Sequence, residues 1–133
     1  MDPMEKVARQ FPDVTFMHCS GYKTRENMTA YFGRMYQARY LTGMVAGAMT
    51  KKNELGYVAA FPTPEVIRGI NAFTLGVRAV NPDAKVRVVW TRTWYSPDDE
   101  KKAAEGLLDV GVDVIAQHQN SAGPQEADRK SVV

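Results

Sequence analysis

Val86-Arg87-Val88-Val89-Trp90-Thr91-Arg92-Thr93-Trp94-Tyr95-Ser96-Pro97-Asp98-Asp99-Glu100 runs from an apolar strand through an aromatic turn straight into the start of a helix. Ser96 stands at the N-cap, Pro97 at the first helical position, and the three acids fall in the first turn, where the helix dipole favours negative charge. A strand feeding directly into a helix is the repeating unit of a parallel α/β sheet. In open sheets of this kind small molecules bind at the carboxyl ends of the strands, and a Trp placed there offers a flat apolar face to a planar ring. The stretch points to an aromatic ligand before it points to a catalyst.

The same grammar continues on both sides. Upstream, Leu55-Gly56-Tyr57-Val58-Ala59-Ala60 reads as a strand ending in Phe61-Pro62-Thr63-Pro64, where two prolines stop the strand and Pro64 opens a helix behind Thr63. Val66, Ile70, Phe73, Val77 and Val80 then step by four and three, one apolar stripe of an amphipathic helix, and Asn81-Pro82 ends it before the Lys85 to Trp90 strand. Downstream, Ala103, Ala104, Leu107 and Leu108 supply a buried helix face, Gly111 suits a left-handed C-terminal residue, and Val112 to Ala116 forms the next strand. Strand, helix, strand, helix, strand predicts a parallel sheet with right-handed crossovers.

Before this run, Val14 to His18 reads as a short strand, Gly21 to Glu26 as a loop, and Met28 to Phe32 as a second strand. Met35 to Met49 reads as a helix packed on a sheet through Met35, Ala38, Leu41, Thr42, Val45 and Met49, with Gly43 and Gly47 bringing its backbone close to that sheet. The tail from Ser121 is polar and offers no apolar stripe. A parallel sheet needs cover on both faces, so this few strands with this many helices is expected to be part of something larger.

With 133 residues, 44% of them hydrophobic and 24% charged, the composition is that of one globular domain. The net charge of +2 is made of interspersed signs, without the basic stripe a nucleic-acid partner requires. The single Cys19 forms no internal disulfide, and beside His18 on a strand it points to the opposite face, so the two cannot act as nucleophile and base. No Gly-rich phosphate loop, metal-spaced cluster or nucleophile elbow is present, so a non-catalytic chain without a cofactor is expected. Met1 to Lys6 does not read as a secretory signal, and the longest apolar run, Leu41 to Met49, is well short of the roughly 20 residues of a membrane helix.

A longer pattern emerges from Gly21-Tyr22-Lys23-Thr24, Tyr31-Phe32-Gly33-Arg34, Gln37-Ala38-Arg39-Tyr40-Leu41-Thr42-Gly43 and Gly56-Tyr57-Val58-Ala59-Ala60-Phe61-Pro62. It continues through Glu65-Val66-Ile67-Arg68-Gly69-Ile70-Asn71-Ala72-Phe73, Val80-Asn81-Pro82-Asp83-Ala84, Val89-Trp90-Thr91 with Trp94, and Asp113-Val114-Ile115-Ala116-Gln117-His118. From about Phe11 to Glu126 the chain resembles the central part of the basic membrane protein family, the purine or purine-nucleoside binders that serve ABC transporters. The resemblance implies an α/β periplasmic-binding-protein-like fold of type I, with two lobes closing on the ligand. It assigns residues 1–50 to the end of the first lobe, 51–126 to part of the second, and leaves 127–133 as a divergent tail in which Asp128-Arg129-Lys130-Ser131 does not look like the family's helix. It also implies a purine ligand, a membrane permease as partner, no nucleic acid, and a place on the periplasmic side of the plasma membrane.

Within the chain the resemblance puts Trp94 at the position of the aromatic residue that stacks on the purine, in agreement with its place at a strand's carboxyl end. Phe61 ends the neighbouring strand at the same edge, where it walls the pocket or fills the core. His118 and Asn120, with Gln119 and Ser121, end the next strand there, and such groups hydrogen-bond ring nitrogens and an exocyclic amine; a structural histidine is the competing reading of His118. Tyr22 and Lys23 follow the first strand and are expected to reach the cleft from the other lobe. Two other classes compete with the transporter reading: a cytoplasmic purine-sensing regulator on the same fold, and a nucleoside-processing α/β enzyme.

Overall fold

The computed structural model describes residues 3–131, with side chains described as far as Asp128. The chain divides into two compact units, Met1–Met35 and Tyr36–Val133.

In the first unit, helix α1 (Pro3–Gln10) precedes two strands, β1 (Phe16–Cys19) and β2 (Met28–Tyr31), which pair in parallel with Phe16 opposite Met28 and Cys19 opposite Tyr31. Helix α1 is unexpected from the sequence reading, although Met4, Val7 and Ala8 keep helical spacing, and of its residues only Ala8 is buried. Charge holds it instead. The Glu5 carboxylate accepts from Arg9 at 2.8 Å, Lys23 at 3.1 Å and Arg25 at 3.5 Å, and the Arg9 and Lys23 bonds lower its pKa to about 2. The Asn27 side-chain amide closes the unit by donating to the carbonyls of Ala8, Phe11 and Val14.

The second unit alternates α2 (Met35–Met49), β3 (Glu54–Ala59), α3 (Pro64–Val80), β4 (Lys85–Trp90), α4 (Pro97–Asp109), β5 (Val114–His118) and α5 (Gly123–Ser131). Its sheet is parallel in the order β4-β3-β5, with Ala59 opposite both Trp90 and His118, so the three strands end level. The central strand β3 is buried from Leu55 to Ala59, as its uninterrupted apolar run requires. On one face Leu55, Tyr57 and Ala59 pack with Ala46 of α2 and with Val66, Ile70, Phe73 and Val77 of α3. On the other, Val58 packs with Ala104 and Leu107 of α4, Val112, and Ala127 of α5. The strand predicted from Val112 begins two residues later, Val112 being spent on this second core.

Two sequence expectations are corrected. The stripe read along α2 is not its buried face: Met35, Leu41, Val45 and Met49 are exposed, and Gly43, Ala46 and Gly47 are buried. The glycines of that face meet helix α3, since a Cβ on Gly43 would stand 2.1 Å from the Phe73 carbonyl oxygen and one on Gly47 2.8 Å from that of Val77, while Ala46 joins the core on the sheet. Glycines permit backbone-to-backbone approach, so the contact side of α2 is its smallest side, which hydrophobic periodicity does not see. Secondly, the polar tail from Ser121 contains a helix: α5 rests on α4 through Ala127, and Gly123 lies where a Cβ would be 2.5 Å from the Pro97 carbonyl oxygen. The divergent tail expected over 127–133 lies only partly within the described residues.

Elsewhere the local signals hold. Gly111 has φ +95° and ends α4 as a left-handed residue. Burial pushes the Asp113 carboxyl up, but bonds from the Thr50 hydroxyl and the Lys51 and Lys52 N–H groups outweigh it and leave its pKa below the ordinary value, fixing the turn after α2 to the start of β5. Gly106 is the converse of Gly43: it lies inside α4, and a Cβ there meets nothing within 4 Å. Gly106→Ala is therefore expected to stabilise the second unit by about 0.4–1 kcal/mol by restricting the unfolded chain. A rise in urea midpoint at unchanged slope is the result that bears this out, and a fall contradicts it.

Candidate functional site

The level carboxyl ends of β4, β3 and β5 give the second unit one edge on which loops from all three strands converge. Helix α3 leaves β3 on one face, whereas α4 and α5 occupy the other. The loops after β3 and β5 therefore leave toward opposite faces, and in open α/β sheets small molecules bind at a position of this kind.

The β4 loop is aimed into this region by its backbone. Past the end of β4, the Thr91 N–H donates to the Ala59 carbonyl at 2.9 Å and the Arg92 N–H to that of Ala60 at 3.0 Å, and Arg92 then takes φ +61°. A non-glycine residue rarely adopts this left-handed conformation. It turns the chain so that Trp94 meets Phe61, with ring centroids 5.6 Å apart at 52°, and the edge of His118, 6.5 Å away at 63°. Trp94 keeps 39% of its surface exposed, so it is neither a core residue nor a free surface residue. The Asn120 N–H donates to the Trp94 carbonyl at 3.0 Å and the Gln119 side-chain amide to the Thr91 hydroxyl at 2.6 Å.

Beneath this aromatic step lies a polar layer. His118 Nε2 donates to Glu65 Oε1 at 3.1 Å, while His118 Nδ1 and the Tyr57 hydroxyl are buried with no hydrogen-bond partner among the described residues. Gly69 lies against both, since a Cβ there would stand in ordinary contact at 3.4 Å from that Nδ1 and 3.8 Å from that hydroxyl. Arg39, from α2, donates to the Gln117 carbonyl at 2.9 Å and sits 5.9 Å from the centre of the Tyr57 ring. Burial lowers the His118 pKa; Glu65 opposes the shift and Arg39 adds to it, leaving the imidazole neutral at pH 7.

The sign of the resulting pH dependence follows. The unfolded histidine takes up a proton near pH 6.5 and the folded one only at lower pH, so stability is complete above that value and declines as pH falls below it. The difference in urea midpoint between about pH 7.5 and about pH 5.5 is expected to shrink in His118→Gln. An undiminished difference would assign the acid sensitivity to other groups.

Of the residues singled out in the sequence, Trp94, Phe61, His118 and Asn120 are together at this edge, Asn120 through its backbone. Tyr22 belongs to the first unit, in the exposed turn after β1, and Lys23 beside it is paired with Glu5. Gln119, also named in the sequence at this strand end, joins those at the sheet edge, and Glu65, Arg39 and Thr91 complete the arrangement without a local signal. The Arg39 bond to Gln117 spans 78 residues, a distance over which no spacing rule operates. Among the described residues no helix is long and apolar enough to cross a membrane.

Comparison with known proteins gives the family and agrees with the fold. Residues 1–131 match the model of a family described as ABC transporter substrate-binding protein PnrA-like, a family of binding proteins rather than of enzymes. A purine-binding protein of Brucella abortus is 51% identical over 121 residues, 91% of this chain and 35% of that protein. A protein of Haloferax volcanii, provisionally named the glucose-binding protein of an ABC transporter, is 53% identical over 120 residues, 90% of this chain and 31% of its own length. Among solved structures, a solute-binding protein of an ABC transporter system from Conexibacter woesei superposes with a TM-score of 0.72 at 29% identity, over 99% of this chain and 45% of that one. The chain thus spans about a third of the length of the curated relatives it matches. Its α/β architecture, parallel sheet and near-complete match to one family model place it: the chain belongs to the PnrA-like family of ABC transporter substrate-binding proteins.

Proposed function

We propose that this chain carries the stacking half of a purine nucleobase or nucleoside site, in a protein that hands its ligand to an ABC permease outside the cytoplasmic membrane. The observation behind the reading is the half-exposed Trp94 ring, braced by Phe61 and His118 at the carboxyl edge of the sheet. The base lies on the open face of Trp94, Phe61 walls the site beside it, His118 braces the indole, and the exposed Asn120 side chain addresses the base's nitrogens. The name of the Brucella abortus relative supports a purine. The likeness to a glucose-binding name favours a second reading, a hexose whose C–H face packs on the same indole.

Intrinsic fluorescence decides between them, because the chain has only two Trp residues, Trp90 and Trp94. Titration of the 133-residue chain with adenine, adenosine, guanosine, glucose and a pyrimidine nucleoside is expected to give saturable quenching by the purines alone. Saturation by glucose and not by purines would establish the hexose reading. A folded chain whose emission responds to none of them would overturn the claim that this unit binds by itself.

A further inference from the structure

The loops after β4 and β5 are joined across the end of β3 by a buried carboxylate. Glu100, in the first turn of α4, is 0% exposed although two acids directly before it, Asp98 and Asp99, are exposed. One of its oxygens, Oε1, accepts from the Ser96 N–H at 2.9 Å, at the end of the loop that carries Trp94. The other, Oε2, accepts a short hydrogen bond from the Ser121 hydroxyl, in the loop that carries Asn120. Ser121 is itself fixed from both sides: its hydroxyl accepts from the Gly123 N–H at 3.1 Å, and its carbonyl accepts from the Gln117 amide at 3.0 Å. Ser96 has its own acid, its hydroxyl donating to Asp99 at 2.7 Å, so Glu100 is not needed to satisfy that side chain.

Capping and the helix dipole account for Asp98 and Asp99, but they do not require the third acid to be buried. A carboxyl group removed from water is expensive unless its polar atoms are well partnered, and no cationic side chain is paired with Glu100 among the described residues. Its two bonds lead instead to two loops that come from non-adjacent strands. With the Asn120–Trp94 and Gln119–Thr91 bonds, the Glu100–Ser121 bond makes three cross-links between the two segments, while the Glu100–Ser96 bond ties the end of the β4 loop to its own helix. Apolar packing holds loops together without fixing their register, whereas directional bonds to a buried acceptor fix it.

We propose that Glu100 is a positioning residue: through Ser96 and Ser121 it clasps the β4 and β5 loops and so sets the orientation in which Trp94 presents its face to a ligand. The functional part of this inference rests on the purine reading given above; the structural part does not. Gly123 belongs to the clasp as well, since any side chain there would push the β5 loop off the first turn of α4.

The test is carried out in a Trp90→Phe background, so that Trp94 is the only indole. Glu100→Met keeps the volume and removes both of its bonds; Ser121→Ala removes the bond to Glu100 together with the one from the Gly123 N–H, and leaves α4 unaltered. In both, Trp94 emission is expected to move to longer wavelength and its acrylamide quenching to rise, with the far-ultraviolet circular dichroism unchanged, and Glu100→Gln, which keeps an acceptor for the Ser96 N–H, is expected to recover part of the change. Unchanged emission and quenching in both variants would overturn the proposal. If Glu100→Met does not fold, Ser121→Ala decides alone. These readings need no ligand, so a failure of purine binding leaves the clasp separately judged. Where the parent chain binds adenosine, Glu100→Met is expected to raise Kd about tenfold, as when the competent loop arrangement falls to about a tenth of the population. An unaltered Kd would reject the role in binding.

Discussion

Trp94→Ala is expected to weaken adenosine binding by roughly five- to 150-fold while leaving the melting temperature nearly unchanged. A base stacked on an aromatic face gains about 1–3 kcal/mol, and each 1.4 kcal/mol is about a factor of ten in Kd. The indole lies at the sheet edge with 39% of its surface in solvent, so its removal opens no cavity in either core cluster. Isothermal titration of both chains with adenosine measures the effect, since the variant loses the fluorophore that reports it. Phe61→Ala is expected to lose less, because Phe61 meets Trp94 from the side and does not itself carry the base. Equal affinities in Trp94→Ala and the parent would remove the stacking role and leave Trp94 as a loop anchor.

Gly76→Val is expected to lower the melting temperature of the second unit by about 10 °C or more. A Cβ at Gly76 would stand 2.0 Å from the Tyr40 carbonyl oxygen, and one at Gly43 2.1 Å from that of Phe73, so α2 and α3 cross with their backbones in contact. The obstructing atoms are backbone and cannot swing aside. Overpacking a close contact costs about 1–3 kcal/mol and occasionally more, a large share of a native stability of about 5–15 kcal/mol. Separating the two helices would also lift Ala46 from the core cluster and carry Arg39 away from Tyr57 and Gln117. Gly43→Val is expected to act in the same direction, and thermal unfolding followed by circular dichroism checks both. Melting within two degrees or so of the parent would show that the crossing tolerates a side chain.

The βα repeat was legible from local sequence because each of its signals is local. Pro64 and Pro97 fix helix starts, Gly111 fixes an end, and the buried run from Leu55 to Ala60 can only be a strand covered on both faces. The aromatic turn at Trp94 was legible for the same reason: a strand running into a capped helix places whatever lies between them at the carboxyl edge. Hydrophobic periodicity misread α2, since its contact side is Gly43, Ala46 and Gly47 while Leu41, Val45 and Met49 face outward. It also missed α5, whose one buried alanine, Ala127, offers no stripe.

The sequence by itself determined the parallel α/β class, the order of elements from β3 to β5, and the strand end on which Trp94, Phe61, His118 and Asn120 meet. The tertiary structure alone decided that Glu65 orients His118, that Arg39 reaches Gln117, and that Glu100 leaves the solvent to join two loops. The physical reason is range. Caps, prolines and apolar alternation act within a turn or a strand, whereas a buried carboxylate or guanidinium is placed by partners distant in sequence, whose positions exist only once the sheet has formed.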